Sequence, residues 1–238
     1  MKTLIRSLLM FGAFLFLAAC GDKNNPPPGV AQPNNVPRFA YVANGADNSV
    51  SIYTVNAATG QLRHSGYVAS GTNPNSVTVD PAGKFAYVAN YGTTFFPGTT
   101  VSQYTIGANG TLTPMTSATV TAGTRPSSVT VDPSGRYAYV ANQTSNSVSQ
   151  YTIGADGALT EIVPALTSGI GGPTSIAIGP SGRYAYVANR VTGGVSQYTI
   201  SVTGALAPMS PIGIGSGNNP TSVTVDPSGK FAYVANQG

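Results

Sequence analysis

Ser128-Val129-Thr130-Val131-Asp132-Pro133-Ser134-Gly135-Arg136-Tyr137-Ala138-Tyr139-Val140-Ala141-Asn142 is the clearest copy of a phrase whose close the chain repeats five times. The closing tetrad Tyr-Val-Ala-Asn starts at Tyr41, Tyr87, Tyr139, Tyr186 and Tyr233, in steps of 46, 52, 47 and 47 residues. A period of that length is the signature of stacked supersecondary units. Read in full, residues 128–160 predict four strands, a to d, at 128–132, 137–142, 147–153 and near Leu159. Pro133-Ser134-Gly135 and Gly154-Ala155-Asp156-Gly157 supply the turn chemistry between them, and the runs are β-branched and aromatic.

Strand b puts Tyr137, Tyr139 and Ala141 on one face and Ala138 and Val140 on the other, so neither face suits water. A sheet buried on both sides has to be sandwiched between neighbours. Repetition of four-stranded antiparallel sheets about an axis is an all-β β-propeller. A parallel β-helix is the weaker alternative, because its coils are much shorter than this period. The units are expected near 38–72, 73–124, 125–172, 173–219 and 220–238, the first starting directly at strand b and the last stopping after it. That makes 17 strands, about four and a quarter blades, and reads as a truncated part of a longer ring.

These residues carry a resemblance. Val-Asp-Pro-Ser-Gly-(Lys/Arg)-(Phe/Tyr)-Ala-Tyr-Val-Ala-Asn, followed by Ser-Val-Ser-Gln-Tyr-Thr-Ile and Gly-Ala-Leu, resembles the seven-bladed propeller lactonase family of 6-phosphogluconolactonase type. It is also similar to surface proteins with Tyr-Val-Thr-Asn repeats. The resemblance covers residues 37–238 and implies a seven-bladed ring and lactone hydrolysis. A fold alone does not imply an activity, and no catalytic set of that family maps onto matching positions here.

Ahead of the repeats, Lys2 and Arg6 precede an apolar run at residues 8–19 and the single cysteine, Cys20. The run is too short to span a bilayer and has the layout of a secretory signal. Leu17-Ala18-Ala19-Cys20 resembles a bacterial lipobox, which implies a lipid on Cys20 and residence at the cell envelope. Gly21 rather than an acidic residue follows the cysteine, which tilts the expectation toward the outer membrane. Residues 21–37, with prolines at 26, 27, 28, 33 and 37, form an extended tether reaching at most ~50 Å at ~3.1 Å per residue. Without Lys2 and Arg6, nine basic side chains face seven acidic ones, a balance that gives no case for a nucleic-acid partner.

In a meander the a-b and c-d turns share one face and the b-c and d-a loops the other. The first set repeats closely and the second varies, so the second is the expected functional face. Three features stand out there. Residues 91–100 form a b-c loop five residues longer than its counterparts and carry Phe95 and Phe96, a candidate contact for a protein or glycan partner or a lid tucked over the next blade. Arg125 occupies a d-a loop where the other units have Asn73, Gly172 and Asn219. Arg190 lies in the fourth b-c loop, and Arg125, Arg190, Asn73 and Asn219 together make a candidate anion-binding mouth.

The remaining polar residues point to structure. Asp80, Asp132 and Asp226 recur after strand a, and Gly179 replaces the fourth copy, which fits turn formation better than catalysis. His64, the only histidine, and Glu161 fall on outermost strands, far from the axis. No zinc or EF-hand spacing is present, and no cofactor is expected, since quinone-binding propellers use repeated tryptophans and this chain has none. The primary expectation is an envelope binding module, the alternative a lactone hydrolase.

Overall fold

The computed structural model describes residues 38–238 with the exception of Ser168. Cys20, the leader and the tether lie outside the described residues. Seventeen strands form antiparallel sheets of three, four, four, four and two, each a meander in chain order. Blade 1 holds β1 (Phe39–Asn44), β2 (Ser49–Val55) and β3 (Leu62–Ala69). Blade 2 holds β4 (Pro74–Val79), β5 (Phe85–Gly92), β6 (Pro97–Ile106) and β7 (Leu112–Thr121). Blade 3 runs from β8 (Pro126–Val131) through β9 (Tyr137–Asn142) and β10 (Ser147–Ile153) to β11 (Leu159–Leu166). Blade 4 comprises β12 (Pro173–Ile178), β13 (Tyr184–Asn189), β14 (Gly194–Ile200) and β15 (Leu206–Gly215), and β16 (Pro220–Val225) pairs with β17 (Ala232–Asn236) beyond it.

The a strands β4, β8, β12 and β16 pack one against the next and so form the inner wall of the arc. Strand b behaves as its two apolar faces predict. Tyr139 and Ala141 gather with Ala185, Val187, Tyr198 and Leu206 of blade 4, while Ala138 and Val140 gather with Tyr87, Ala89 and Val101 of blade 2. Burying the larger of these side chains contributes roughly 1.5–3 kcal/mol each, and an alanine methyl about 0.8 kcal/mol.

Hydrogen bonds fix the register of that packing. Tyr41, Tyr87 and Tyr139 each donate a phenolic hydrogen to a c-d turn glycine carbonyl of the next blade, Gly110, Gly157 and Gly204, at 2.8, 2.7 and 2.8 Å. Gln103 and Gln150 accept from the first amide of the next blade's strand d, Leu159 and Leu206, at 2.8 and 2.6 Å. Tyr104 and Tyr151 reach back to Ala69 and Thr121 carbonyls of the preceding blade at 2.7 and 2.6 Å. Glycine is required at the receiving turns: Gly157 has φ +84° and lies flat against the Phe85 ring, where a Cβ would overlap it. Burial disfavours the phenolate and pushes Tyr41, Tyr151 and Tyr198 up to about 12, with Tyr87, Tyr104 and Tyr139 raised for the same reason.

The aspartates close turns. Asp132 accepts from the backbone amides of Ser134, Arg136 and Tyr137 at 3.0, 2.9 and 2.8 Å, and Asp80 and Asp226 do the same in their blades. Two boundaries differ from expectation. Strand a starts at Pro126 rather than Ser128, because the register shifts between these residues. Residues 91–100 are not an open loop: β5 and β6 continue pairing to Gly92 opposite Pro97, leaving a four-residue turn at 93–96.

Candidate functional site

One cavity of about 690 Å³ opens on the face made by the b-c and d-a loops. It is walled by Gly45, Ala46 and Asn48 of the β1-β2 turn, Thr72 and Asn73 of the β3-β4 loop, Tyr91 to Thr94 of the β5-β6 hairpin, and Arg125 of the β7-β8 loop. Loops of three blades therefore meet at one place. Of the four polar candidates on that face, Asn73 and Arg125 line this cavity, whereas Arg190 and Asn219 are exposed and do not. A smaller cavity of about 350 Å³ in blade 4 is lined by Ile170, Asn189 and Ile212 among others, and again not by Arg190 or Asn219.

Left-handed backbone shapes the rim. Asn73, Arg125, Gly172 and Asn219 have φ of 49°, 56°, 60° and 48°. Asparagine and glycine enter this region readily, but for a residue such as arginine it costs about 1–2 kcal/mol. Among the described residues the chain tolerates that strain at Arg125 only. Asn73 uses its conformation to hold the cavity's other wall, donating its backbone N–H to Asn48 Oδ1 (2.7 Å) and its Nδ2 to the Gly92 carbonyl (2.9 Å).

Arg125 sits between hairpin and blade 3. Its Nη2 donates to the Thr93 and Thr94 carbonyls at 3.4 and 3.2 Å, and its guanidinium carbon lies 5.5 Å from the centre of the Tyr91 ring. Its backbone amide donates to the Gly98 carbonyl (2.8 Å) and its carbonyl accepts from Gln143 (2.9 Å). Nε is buried without a hydrogen-bond partner in the protein, and Nη1 is the guanidinium nitrogen left to meet a ligand. A bidentate clamp on a carboxylate or phosphate needs two adjacent free nitrogens, so the guanidinium offers a single-nitrogen contact instead.

The sequence reading missed Tyr91 and Gln143. The Tyr91 hydroxyl donates to Gln143 Oε1 in a short hydrogen bond that ties blade 2 to blade 3, and the ring forms part of the cavity wall. A signal was available: the residue after each Tyr-Val-Ala-Asn is Gly45, Tyr91, Gln143, Arg190 and Gln237, and the lone aromatic stands at the long hairpin. The hairpin's base depends on Gly92 at φ +77°, where a Cβ would collide with the backbone of residues 96–98. At its tip Phe95 and Phe96 are 87% and 79% exposed, so they do not tuck over a neighbouring blade.

His64 and Glu161 take no part. His64 lies exposed on β3 between the rings of Tyr53 and Tyr67, at 5.4 and 4.4 Å, and Glu161 is exposed on β11. Among the described residues no carboxylate or imidazole lines the 690 Å³ cavity. Nor do any three His, Cys, Asp or Glu side chains among them gather to hold a metal ion.

The profile of the family described as Lactonase, 7-bladed beta-propeller, matches residues 32–96 and 98–238. The chain belongs to the seven-bladed β-propeller lactonase family. Solved structures share the fold of this lactonase-family chain. A periplasmic gluconolactonase from Pseudomonas aeruginosa is 22% identical over 84% of this chain and 60% of its own, with a TM-score of 0.70. A Bacteroides fragilis protein provisionally named 6-phosphogluconolactonase gives 21%, 84%, 60% and 0.71. A functionally unknown Desulfotomaculum acetoxidans protein gives 16%, 83%, 59% and 0.70. The lactonase-family chain thus spans about three fifths of the length of these structures. Comparison with curated protein sequences gives no match.

Proposed function

We propose that this chain is part of an exported lactone hydrolase that takes an uncharged sugar lactone into the cavity beside Arg125. Family membership supplies the reaction class, and the observation that carries the site is Arg125 itself, an arginine kept in a strained backbone conformation where the other blades use Asn or Gly. Hydrolysis requires water to attack the ring carbonyl carbon, the ring C–O bond to break, and the departing ring oxygen to end as a hydroxyl. Negative charge builds on the carbonyl oxygen in between. A fixed cationic N–H aimed at that oxygen stabilises the charge, and Nη1 of Arg125 is the available donor. The chain's own contribution is binding, orientation and this donor, since the described cavity walls hold no carboxylate or imidazole to accept water's proton.

An uncharged substrate is favoured over a phosphorylated one on two grounds. Arg125 offers a single-nitrogen contact, and no second cationic side chain among the described residues lines the cavity. The proposed export through the Cys20 lipobox would also part the protein from cytoplasmic sugar phosphates, and the Pseudomonas structure of the same fold is named a periplasmic gluconolactonase. Palmitate labelling that survives in Cys20→Ser would rule out the anchor.

Hydrolysis of glucono-δ-lactone by the full chain, followed by acid release, tests the activity. Turnover above the spontaneous rate that drops at least tenfold in Arg125→Asn is the expected result; wild-type protein no faster than buffer would overturn the reading. A second reading, a contact surface for a protein or glycan partner, draws on the exposure of Phe95 and Phe96. If it is correct, Phe95→Ser with Phe96→Ser abolishes retention on envelope preparations while lactone turnover persists.

A further inference from the structure

Every partner of the Arg125 side chain, and the acceptor of its backbone amide, belongs to one element. Thr93 and Thr94 lie in the turn of the β5-β6 hairpin, Tyr91 is the second-last residue of β5 and Gly98 the second of β6. The asparagines and glycine at corresponding positions are too short to reach a neighbouring hairpin tip in this way. Among the described residues only blade 2 raises such a hairpin, and of the d-a loops only the one beside it carries arginine. The turn itself is small, closed by Thr93 N–H to the Phe96 carbonyl (2.9 Å) and Phe96 N–H to Thr93 Oγ1 (3.0 Å), and projects two exposed aromatics into solvent. An isolated two-stranded projection of this size is marginally stable by itself.

We propose that Arg125 has, besides the Nη1 donor role, a positioning role: a latch that fixes the β5-β6 hairpin as one wall of the cavity and as a rigid mount for Phe95 and Phe96. Two parts of the guanidinium do this: Nη2 gathers the two tip carbonyls, and its plane covers Tyr91, whose hydroxyl is pinned to Gln143. Removing the side chain frees the tip while leaving the apolar cores between blades intact, since those cores include none of Tyr91, Thr93, Thr94 and Arg125. Local opening and global stability should therefore separate.

Chymotrypsin reads the tip directly. It cuts after Phe95 in an accessible, mobile turn, whereas Pro97 protects the bond after Phe96. In the full chain, Arg125→Asn is expected to speed cleavage between Phe95 and Phe96 at least tenfold, identified by fragment mass, with a melting temperature equal to or above that of the wild type. Arg125→Gly, matching Gly172, should behave alike and guards against a peculiarity of the asparagine. Arg125→Lys should fall in between, since an ammonium can meet one carbonyl but cannot cover the Tyr91 face. Equal cleavage of wild type and Arg125→Asn would overturn the latch, as would faster cleavage matched by a general loss of melting temperature. One arm rests on the lactone reading: there the loosened wall raises KM severalfold beyond what Arg125→Lys does. Absence of lactone turnover in all variants would sink that reading alone, because proteolysis reports on the latch without substrate.

Discussion

The walls between blades and the loop face above them are built by opposite rules. In the walls, equivalent residues do equivalent things: Tyr41, Tyr87 and Tyr139 bond to Gly110, Gly157 and Gly204, and burial of the rings supplies most of the stabilisation. On the loop face the residues that matter are the ones that break the repeat. Tyr91 and Arg125 have no counterparts in the other blades, and Arg125 accepts backbone strain that asparagine would avoid. Recurrence therefore marks what holds the blades together, and departure from it marks the walls of the cavity.

Substitutions in the two regions should differ sharply. The largest effect is expected in the wall: Tyr139→Ala empties a fully buried site and leaves the Gly204 carbonyl unpaired, costing about 3–5 kcal/mol in denaturant unfolding. Next comes Gly157→Ala, which puts a Cβ against the Phe85 ring and forces a left-handed alanine, at a cost of about 2 kcal/mol or more. A loss below about 0.5 kcal/mol for either would mean that the repeat is not the source of stability.

The pH response carries the same signature. For the buried tyrosines the folded pKa lies above the unfolded value near 10, so the folded state binds more protons between the two values. Their contribution is fully present below pH 10 and is lost as pH rises toward about 12. Melting temperature should fall steadily across that window, and a flat profile would speak against the burial argument.

Loop-face changes should be nearly silent in stability. Arg125→Asn relieves strain and removes weak contacts, so unfolding free energy should stay level or rise by up to about 1 kcal/mol while ligand binding falls. Phe95→Ser should stay within about 0.5 kcal/mol of the wild type, its ring being almost wholly in solvent.

Much of the wall was legible in the sequence because strand chemistry is local. The two apolar faces of residues 137–142 announce a strand buried on both sides, and the recurring Asp-Pro-Ser-Gly announces its turn. The hairpin was misread because Gly92 and Pro97 usually punctuate a strand, and here they pair with each other as the last residue of β5 and the first of β6. Arg125 was legible as an oddity, but its partners were not, since they come from a hairpin 31 and 32 residues earlier. Tyr91 escaped because an aromatic after a strand reads as packing, and only the fold sets it beneath the guanidinium. Arg190 and Asn219 share the loop face with Arg125 without sharing its cavity, a distinction that depends on angular position around the axis.

The most direct test of the division between wall and face is a titration of the full chain with the δ-lactam analogue of gluconolactone, an uncharged ring that resists hydrolysis, followed through backbone amide resonances. Saturable shifts are expected, confined to the b-c and d-a loops and centred on Asn73, Tyr91 to Thr94 and Arg125, with Gly110, Gly157 and Gly204 unmoved. Shifts centred on those turn glycines, or none anywhere at saturating analogue, would contradict the division.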